Sequence, residues 1–351
     1  MTKRLYLDHA ATAPILPGAR LAMTDAFAIW ANASSPHAEG RAARAALEDA
    51  RGRIKAALKW PHELIFTSGA TEAITLALGR TESDAIFVAA TEHDAVRRAA
   101  PNAYFLPVEP DGRVSSDALT GRLAALAAKR PLVAIQAVNN ETGVLQSLDQ
   151  LSPIIRRAGG LLFADCAQSA GKMALPNADV IAISAHKFGG PPGIGALLVR
   201  DFAMLRAIGG QERGYRMGTE NLPGVLGFAA ALEPAQGWVA RAGELRAHLD
   251  SAIEALGGST VGRASARLAT IASYRMPGVA SNTQLIQFDM AGISVSAGSA
   301  CSSGSLKPSH VLSAMGWDES KASEVVRVSF GPETSRADVY RFIDVWKRIK
   351  K

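Results

Sequence analysis

The hydrophobic pattern of residues 64–199 alternates between short apolar runs and longer segments with helical spacing. The apolar runs are short and often rich in β-branched residues, as buried strands are, and fall at residues 64–67, 85–89, 103–106, 131–138, 161–165, 179–183 and 196–199. Between them, apolar side chains recur every three or four residues, which is typical of amphipathic helices. This alternation predicts an α/β fold with a mostly parallel sheet covered by helices.

The pattern changes beyond residue 200. Residues 209–221 are polar and glycine-rich, which predicts a surface loop, and a long helical stretch over 222–256 has a possible break near Pro234 and Gly237. Later elements are expected as strands near 268–271 and 284–288, and as helices near 320–324 and 336–349. We therefore expect a large domain over residues 15–247 and a smaller α+β domain from residues 1–14 and 248–351.

Composition is that of an ordinary globular protein, with 351 residues, 48% hydrophobic and 20% charged. No apolar run is long enough to span a bilayer, and no signal-peptide segment opens the chain, so a cytoplasmic location without membrane contact is expected. The net charge of +6 is spread along helices and aromatic content is 6%, so nucleic-acid binding is not expected. The two cysteines form no metal cluster, and no intrinsic metal site is expected.

A lysine lies between two apolar runs in the segment 184–195. Ser184, His186 and Lys187 directly follow the run 179–183, and four glycines and two prolines come after them. A lysine at the end of a buried strand has a lowered pKa, and its neutral amine forms Schiff bases. The competing interpretation is a lysine that reaches solvent from a tight turn. Asp165 ends the preceding apolar run, and a lysine with a carboxylate is what pyridoxal phosphate requires of a protein.

Other polar residues also follow predicted strands. Residues 68–71 open a helix, which favours either an anion site or ordinary N-capping. His93 is interpreted as a capping histidine or as a ring that covers a cofactor and moves protons. Ligands bind beyond the carboxyl ends of parallel strands, so we expect one crevice to gather these strand-end residues. They are Thr71, His93, Asn140, Gln168 and Lys187.

Cys301 and Arg327 carry candidate chemistry in the last part of the chain. Cys301 lies among serines and glycines at 296–305, which favours a reactive thiol over a chance exposed one. Cys166, beside Asp165, is interpreted as a small core residue. Arg327 lies in the apolar run 325–331. One interpretation is that its planar guanidinium binds a carboxylate, and the other is that the residue lies on a strand edge that faces water.

Ten short motifs then match one family in order along almost the whole chain. They occur at residues 6–12, 32 with 34–40, 67–72, 92–93, 139–143, 165 with 168, 184–187, 216 with 218–219, 298–304 and 327–329. The sequence resembles the NifS/IscS-like cysteine desulfurases of the class V aminotransferase family, which are fold type I pyridoxal-phosphate enzymes. The resemblance implies a large cofactor-binding domain with a mostly parallel seven-stranded sheet between helices, and a smaller α+β domain that carries the cysteine loop.

The resemblance implies a cofactor role for each matching residue. Lys187 binds the aldehyde of pyridoxal phosphate as a Schiff base, Asp165 pairs with the pyridine nitrogen, and His93 stacks on the ring as acid or base. Residues that hold the phosphate are Ala70, Thr71, Ser184 and His186, with Thr219 reaching in from the second subunit of a homodimer. Gln168 and Asn140 contact the cofactor ring oxygen or the substrate.

The resemblance also implies the substrate and the partners. Asn32 and Arg327 bind the carboxylate of L-cysteine, with Asn140 beside them. Cys301 attacks the sulfur, which leaves L-alanine and a persulfide that is passed to a sulfur acceptor or an iron–sulfur scaffold protein. In the group with this longer loop, the cysteine can transiently help to hold a nascent cluster with that scaffold.

Two other classes of function stay open at this point. One is a selenocysteine lyase or an aminotransferase of the same family, although transamination needs no thiol at Cys301. The other is an assembly partner without activity, which the intact Lys187, Asp165 and His93 disfavour. The sequence departs from the family at Cys166, at residues 74–75 and at Pro192, and the chain is short. These departures leave the physiological sulfur acceptor open.

Overall fold

The computed structural model describes residues 4–233, 237–298 and 309–351. The strands in these ranges are β1 (Leu5–Tyr6), β2 (Glu63–Thr67), β3 (Ala85–Ala89), β4 (Tyr104–Leu106), β5 (Pro131–Ala134), β6 (Leu161–Asp165), β7 (Val180–Ser184), β8 (Gly195–Val199), β9 (Ser259–Thr260), β10 (Ile271–Arg275), β11 (Ile293–Ser294) and β12 (Val325–Ser329). The helices are α1 (Pro17–Ala26), α2 (Ala38–Ala57), α3 (Ala70–Arg80), α4 (Asp94–Ala99), α5 (Ser116–Leu126), α6 (Leu148–Arg157), α7 (Leu222–Leu232), α8 (Trp238–Ala255), α9 (Ser281–Met290), α10 (His310–Ala314), α11 (Glu319–Ala322) and α12 (Arg336–Lys350).

The central element is a seven-stranded sheet with the strand order β2-β8-β7-β6-β5-β3-β4. Five neighbouring strands, from β7 to β4, run parallel. Strand β8 is antiparallel to both β2 and β7, so it alone is reversed. The predicted mostly parallel sheet is therefore confirmed, and its strand ends gather at one edge.

Both faces of this sheet are covered by apolar residues. Successive side chains of a strand point to opposite faces, and β7 shows the consequence. Ile181 and Ile183 belong to the core cluster beneath α2 and α7, whereas Val180 and Ala182 belong to the cluster that includes α3 and α4. Strands buried on both faces explain why these runs are continuously apolar in the sequence.

A second core lies around smaller sheets. Strands β12, β10 and β9 form an antiparallel sheet, and β1 pairs with β11 in parallel. Helices α8, α9 and α12 pack on this region, where the rings of Phe288 and Phe342 stack with centroids 4.7 Å apart. The division into two domains stays a prediction. Its boundary at 247/248 falls inside α8, whose buried residues Leu245 and Leu249 both join this second core.

Some local predictions were wrong. Residues 284–288 form part of helix α9 and not a strand, because Gln284 and Phe288, four positions apart, are the buried pair on one helical face. The strand expected near 268–271 begins at Ile271. The spacing of Leu21, Phe27 and Trp30 predicts one helix from Pro17 to about residue 31 with these side chains available for its apolar face. Helix α1 instead ends at Ala26, and all three side chains are exposed. No helix in the described ranges is both long and apolar enough to cross a membrane.

Candidate active site

A cavity of about 390 Å³ opens at the carboxyl ends of the parallel strands. Strand β2 leads into the start of α3, β3 into His93, β6 into Asp165 and β7 into Lys187. The structure brings most of the residues chosen from the sequence to this one cavity. They are Ala70, Thr71, His93, Asn140, Asp165, Gln168, Ser184, His186, Lys187 and Arg327.

Two of the residues chosen from the sequence do not line the cavity, and a third lies outside the described residues. Asn32 is exposed before α2, and its Oδ1 accepts a hydrogen bond from the backbone N–H of Ser34 at 2.8 Å. Thr219 is exposed in the segment between β8 and α7. Cys301 lies outside the described residues. Their roles therefore stay proposals.

The amine of Lys187 is held by two backbone carbonyls. Lys187 ends a single 3-10 turn directly after β7, and its Nζ donates to the carbonyl oxygens of Ala10 at 2.7 Å and Ala11 at 2.9 Å. Gln168 donates from Nε2 to the same oxygen of Ala10 at 2.9 Å, which leaves its buried Oε1 without a hydrogen-bond partner. The carbonyl groups of Ala10 and Ala11, which follow β1, thus orient the side chains of Lys187 and Gln168 in the cavity.

Asp165 and Glu92 are neighbouring buried carboxyl groups, and Asp165 lines the cavity. Burial raises the pKa of Asp165, while the charges of His93 and Lys187 act in the opposite direction. Burial, and then the charge of Asp165, raises the pKa of Glu92 well above its ordinary value, and Glu92 Oε2 has no hydrogen-bond partner. Burial therefore favours the protonated form of Glu92, and Asp165 is the carboxyl group of the two that lines the cavity and can face a cation.

The start of α3 in this cavity suits an anion. Helix α3 begins after Gly69 without a side-chain cap, so its first N–H groups are available to a ligand. A Cβ on Gly195 would lie 2.7 Å from the Cα of Gly69, so glycine is required for β8 to pass this close. Ser184 and His186 line the same cavity, and burial followed by the charge of Lys187 lowers the pKa of His186 to about 4.

Arg327 lies in the wall of the cavity, on strand β12. Its side chain is 4% exposed, which excludes the interpretation of a strand edge facing water. Nη2 donates to Oδ1 of Asp8 at 2.8 Å and Nη1 donates to the carbonyl of Asn140 at 3.1 Å. Its Nε is buried and has no hydrogen-bond partner within the described ranges. The guanidinium is thus fixed in orientation, and these two bonds leave three of its five N–H donors, including that on Nε, for other partners.

Of the two described residues that flank 299–308, Gly298 lines the cavity and Ser309 lies next to Gly298. A Cβ on Gly298 would be 3.4 Å from the Cβ of Ser309, and Ser309 donates to Oε2 of Glu141 at 2.6 Å. Glu141 is buried, and burial raises its pKa. The segment that carries Cys301 thus leaves and rejoins the described chain beside this cavity.

Several residues of the site were missed in the sequence. Glu92 and Glu141 belong to quoted motifs but were given no role, and Asp8 was not foreseen as the partner of Arg327. Arg216 pairs with Glu72 at 2.8 Å, which ties the segment before Thr219 to the start of α3. The only sequence signal for these acids was that each is a charged residue beside an apolar run.

A strand-end lysine, a buried carboxylate and an uncapped helix start define an enzyme site of the class V aminotransferase type. The family described as Aminotransferase class-V matches residues 5–342, and the chain belongs to this family. The chain is 35% identical to a cysteine desulfurase of Gluconacetobacter diazotrophicus, over 98% of this chain and 93% of the relative. It is 36% identical to the cysteine desulfurase IscS of Anaeromyxobacter sp., over 95% of this chain and 89% of that relative.

The fold agrees with these relatives. The solved structure of a NifS-like protein from Rickettsia africae superposes with a TM-score of 0.90 at 28% identity, over 99% of both chains. The resemblance to NifS/IscS-like cysteine desulfurases and the fold type I architecture inferred from the sequence are therefore confirmed.

Proposed function

We propose that this chain is a pyridoxal-phosphate-dependent cysteine desulfurase that converts L-cysteine to L-alanine. The observation that carries the proposal is the single cavity that holds the Lys187 amine, the Asp165 carboxylate and the uncapped start of α3. Relatives named as cysteine desulfurases over nearly the whole chain support it.

The residues of the cavity fit pyridoxal phosphate. The Asp165 carboxyl group suits a protonated ring nitrogen, and the N–H groups at Ala70 and Thr71 with Ser184 suit a phosphate. Lys187 is the residue to which the aldehyde would attach. When bound, the cofactor supplies an electron sink for negative charge that develops on the substrate.

His93 is oriented as a proton carrier. Its Nδ1 accepts a hydrogen bond from the N–H of Ala95 at 3.1 Å at the start of α4. A neutral imidazole that accepts at Nδ1 carries its hydrogen on Nε2. Nε2 is thus the atom that gives up or takes a proton, and we assign the acid–base role of His93 to it.

Arg327 is our proposed site for the substrate carboxylate. Its Nε lacks a partner, and a buried donor left unpaired costs about 1–3 kcal/mol, which a bound carboxylate would recover. Asn140, whose carbonyl holds the guanidinium, also lines the cavity and is proposed to contact the substrate. Asn32 is kept as a second proposed contact.

Sulfur transfer is proposed for Cys301. The carbon–sulfur bond of L-cysteine breaks, a sulfur–sulfur bond forms on Cys301, and the substrate carbon ends as the methyl group of L-alanine. The carbon is reduced and the two sulfurs share the oxidation, so L-cysteine and one thiol give L-alanine and one persulfide without a further reactant. The positions of Gly298 and Ser309 beside the cavity support this role.

The assembly and the partners are also proposals. We propose a homodimer in which Thr219 completes the phosphate site of the other subunit, and a sulfur acceptor or iron–sulfur scaffold that takes the persulfide sulfur. The exposed apolar side chains of Leu21, Phe27 and Trp30 support a subunit contact. A cytoplasmic location is proposed because the transferring thiol has to stay reduced.

Product analysis tests the activity. The purified protein, loaded with pyridoxal phosphate and given L-cysteine with a reducing thiol, is expected to yield L-alanine and sulfide in equal amounts. Formation of a 2-oxo acid from L-cysteine would indicate transamination and contradict the proposal. The absence of any product from the cofactor-loaded protein would contradict it as well.

A further inference from the structure

A second cavity, of about 650 Å³, lies behind the Lys187 side chain. We call it the Lys172 cavity, and it is bounded by the segment after β1, the start of α8 and the turn after β12. Its lining is rich in apolar side chains, among them Leu16, Phe188, Trp238 and Phe330. Its volume lies within the usual range of small-molecule sites, about 300–1,000 Å³.

Lys172 faces this cavity from the turns that follow β6. Its side chain is buried, with 8% exposed, and it makes no hydrogen bond or ion pair with residues in the described parts of the chain. Burial, and then the charge of Lys187, lowers the pKa of Lys172 to about 7. A buried amine without an acceptor is costly unless a ligand supplies one.

The other charged groups around the Lys172 cavity leave this amine unneutralised. Arg4 pairs with Asp289, and Arg341 donates to the carbonyl of Ala291 at 2.9 Å. Asp338 accepts from Ser335 in the capping box of α12, and Glu333 is exposed at the surface.

His9 lines the same cavity beside the amine. Burial, and then the charge of Lys172, lowers its pKa to about 4, so its ring is neutral near pH 7. Its buried Nδ1 has no hydrogen-bond partner among the residues that the structure describes. The inner end of the cavity therefore carries net positive character whenever Lys172 is protonated.

We propose that the Lys172 cavity binds a small carboxylate with an apolar body. The carboxylate pairs with the Lys172 amine, and the apolar body packs against Phe188, Trp238 and Phe330. Lys187 also lines this cavity, but its amine donates to the carbonyls of Ala10 and Ala11. Lys172 is therefore the amine offered to a ligand, which favours one anionic group over a polyanion that would need several donors. Lys187 lines both cavities, but Lys172, Trp238 and Phe330, which the proposal uses, line only this one, and the inference does not depend on the proposed function.

The test uses cofactor-loaded protein labelled with 5-fluorotryptophan. The chain has five tryptophans, and the fluorine resonance of Trp238 is assigned with Trp238→Phe. Phenylacetate is titrated as the probe, and 2-phenylethanol serves as its uncharged counterpart. We expect phenylacetate to shift the Trp238 resonance saturably, and 2-phenylethanol to bind at least about tenfold more weakly.

Three variants locate the binding. Lys172→Met should weaken phenylacetate at least about tenfold, whereas Lys129→Met, at an exposed lysine, should leave it unchanged. Arg327→Gln should also leave the Trp238 shift unchanged, since that residue belongs to the other cavity.

Three results would overturn the proposal. They are the absence of a saturable Trp238 shift, equal binding of acid and alcohol, and unchanged binding in Lys172→Met. If Lys172→Met does not fold, the comparison of phenylacetate with 2-phenylethanol on the unmodified protein tests the proposal by itself. No turnover is measured, so failure here is distinct from failure of the desulfurase proposal.

Discussion

Arg327 and Asp8 form an ion pair in the wall of the strand-end cavity, with Nη2 and Oδ1 2.8 Å apart. Asp8 follows β1 and Arg327 lies on β12, so the pair joins the two ends of the chain. Because Asp8 and the carbonyl of Asn140 hold two guanidinium nitrogens, the remaining Nε is presented in a fixed direction. The fork geometry, and not charge alone, is therefore what a bound carboxylate would recognise.

The first prediction concerns Arg327. Arg327→Lys keeps the charge but loses the planar fork, so we expect KM for L-cysteine to rise about tenfold or more. Cofactor affinity should change little, because Asp165 and the start of α3 are untouched. Arg275→Lys, at an arginine that pairs with Glu324, is the matched control. An unchanged KM in Arg327→Lys, measured by steady-state kinetics, would rule out this residue as the carboxylate site.

The second prediction concerns the attachment of the cofactor. Borohydride reduction of the yellow, cofactor-loaded protein should fix the cofactor mass on the peptide that contains Lys187. The structure offers Lys172 as the matched control, since that amine is also buried and lies near Lys187. Peptide mass spectrometry should find no label on Lys172 and no fixed label in Lys187→Ala. Label on Lys172 in the unmodified protein would contradict the assignment.

The third prediction concerns sites shared between subunits. Lys187→Ala and Thr219→Ala should each lose most activity as pure dimers. After subunit exchange, a mixed dimer regains one intact site, so about a quarter of full activity is expected if half of the dimers are mixed. The assay is alanine formation, with exchange followed by affinity tags. Proven exchange without recovery would show that Thr219 serves its own subunit or none.

The fourth prediction concerns the pH dependence of stability. The pKa of Lys172 is about 7 in the folded protein and near its ordinary 10.5 when unfolded. Between pH 7 and pH 10.5 the unfolded state binds more protons than the folded state, so the free energy of unfolding rises with pH. The cost of burying the charged amine is fully present below about pH 7 and is relieved as the pH rises towards 10.5. Denaturant unfolding should find Lys172→Met more stable than the unmodified protein by about 4–5 kcal/mol at pH 6.5, the free energy that corresponds to lowering the pKa from 10.5 to about 7, and the gap should close towards pH 10. A gap that is constant with pH would mean that Lys172 titrates normally.

The sheet could be predicted from the sequence because its strands are buried on both faces. Continuous runs such as Val180–Ser184 leave no other place for their side chains than between two layers. The polar residues at the strand ends followed from this, and the structure places His93, Asp165 and Lys187 in one cavity. Helix α9 was missed because a short apolar run fits a strand or a helix equally well until Gln284 and Phe288 are seen to share a face.

Long-range partners could not be predicted in the same way. The pair of Arg327 with Asp8 spans almost the whole chain, and the raised pKa of Glu92 depends on its burial beside Asp165. The burial of Lys172 likewise cannot be seen in the sequence of a turn, since residues distant along the chain enclose it. Each is a property of the folded arrangement and has no local sequence signal.

The most direct test of the central claim is alanine formation from L-cysteine by Cys301→Ser, with Cys166→Ser as the matched control. Cys166 is fully buried, and burial raises the pKa of its thiol to about 12, so it is not expected to take part. We expect Cys301→Ser to bind pyridoxal phosphate but to lose turnover by about a hundredfold or more. Cys166→Ser should keep its turnover, and mass spectrometry of the unmodified protein should find the persulfide on Cys301. Full turnover in Cys301→Ser would contradict the account.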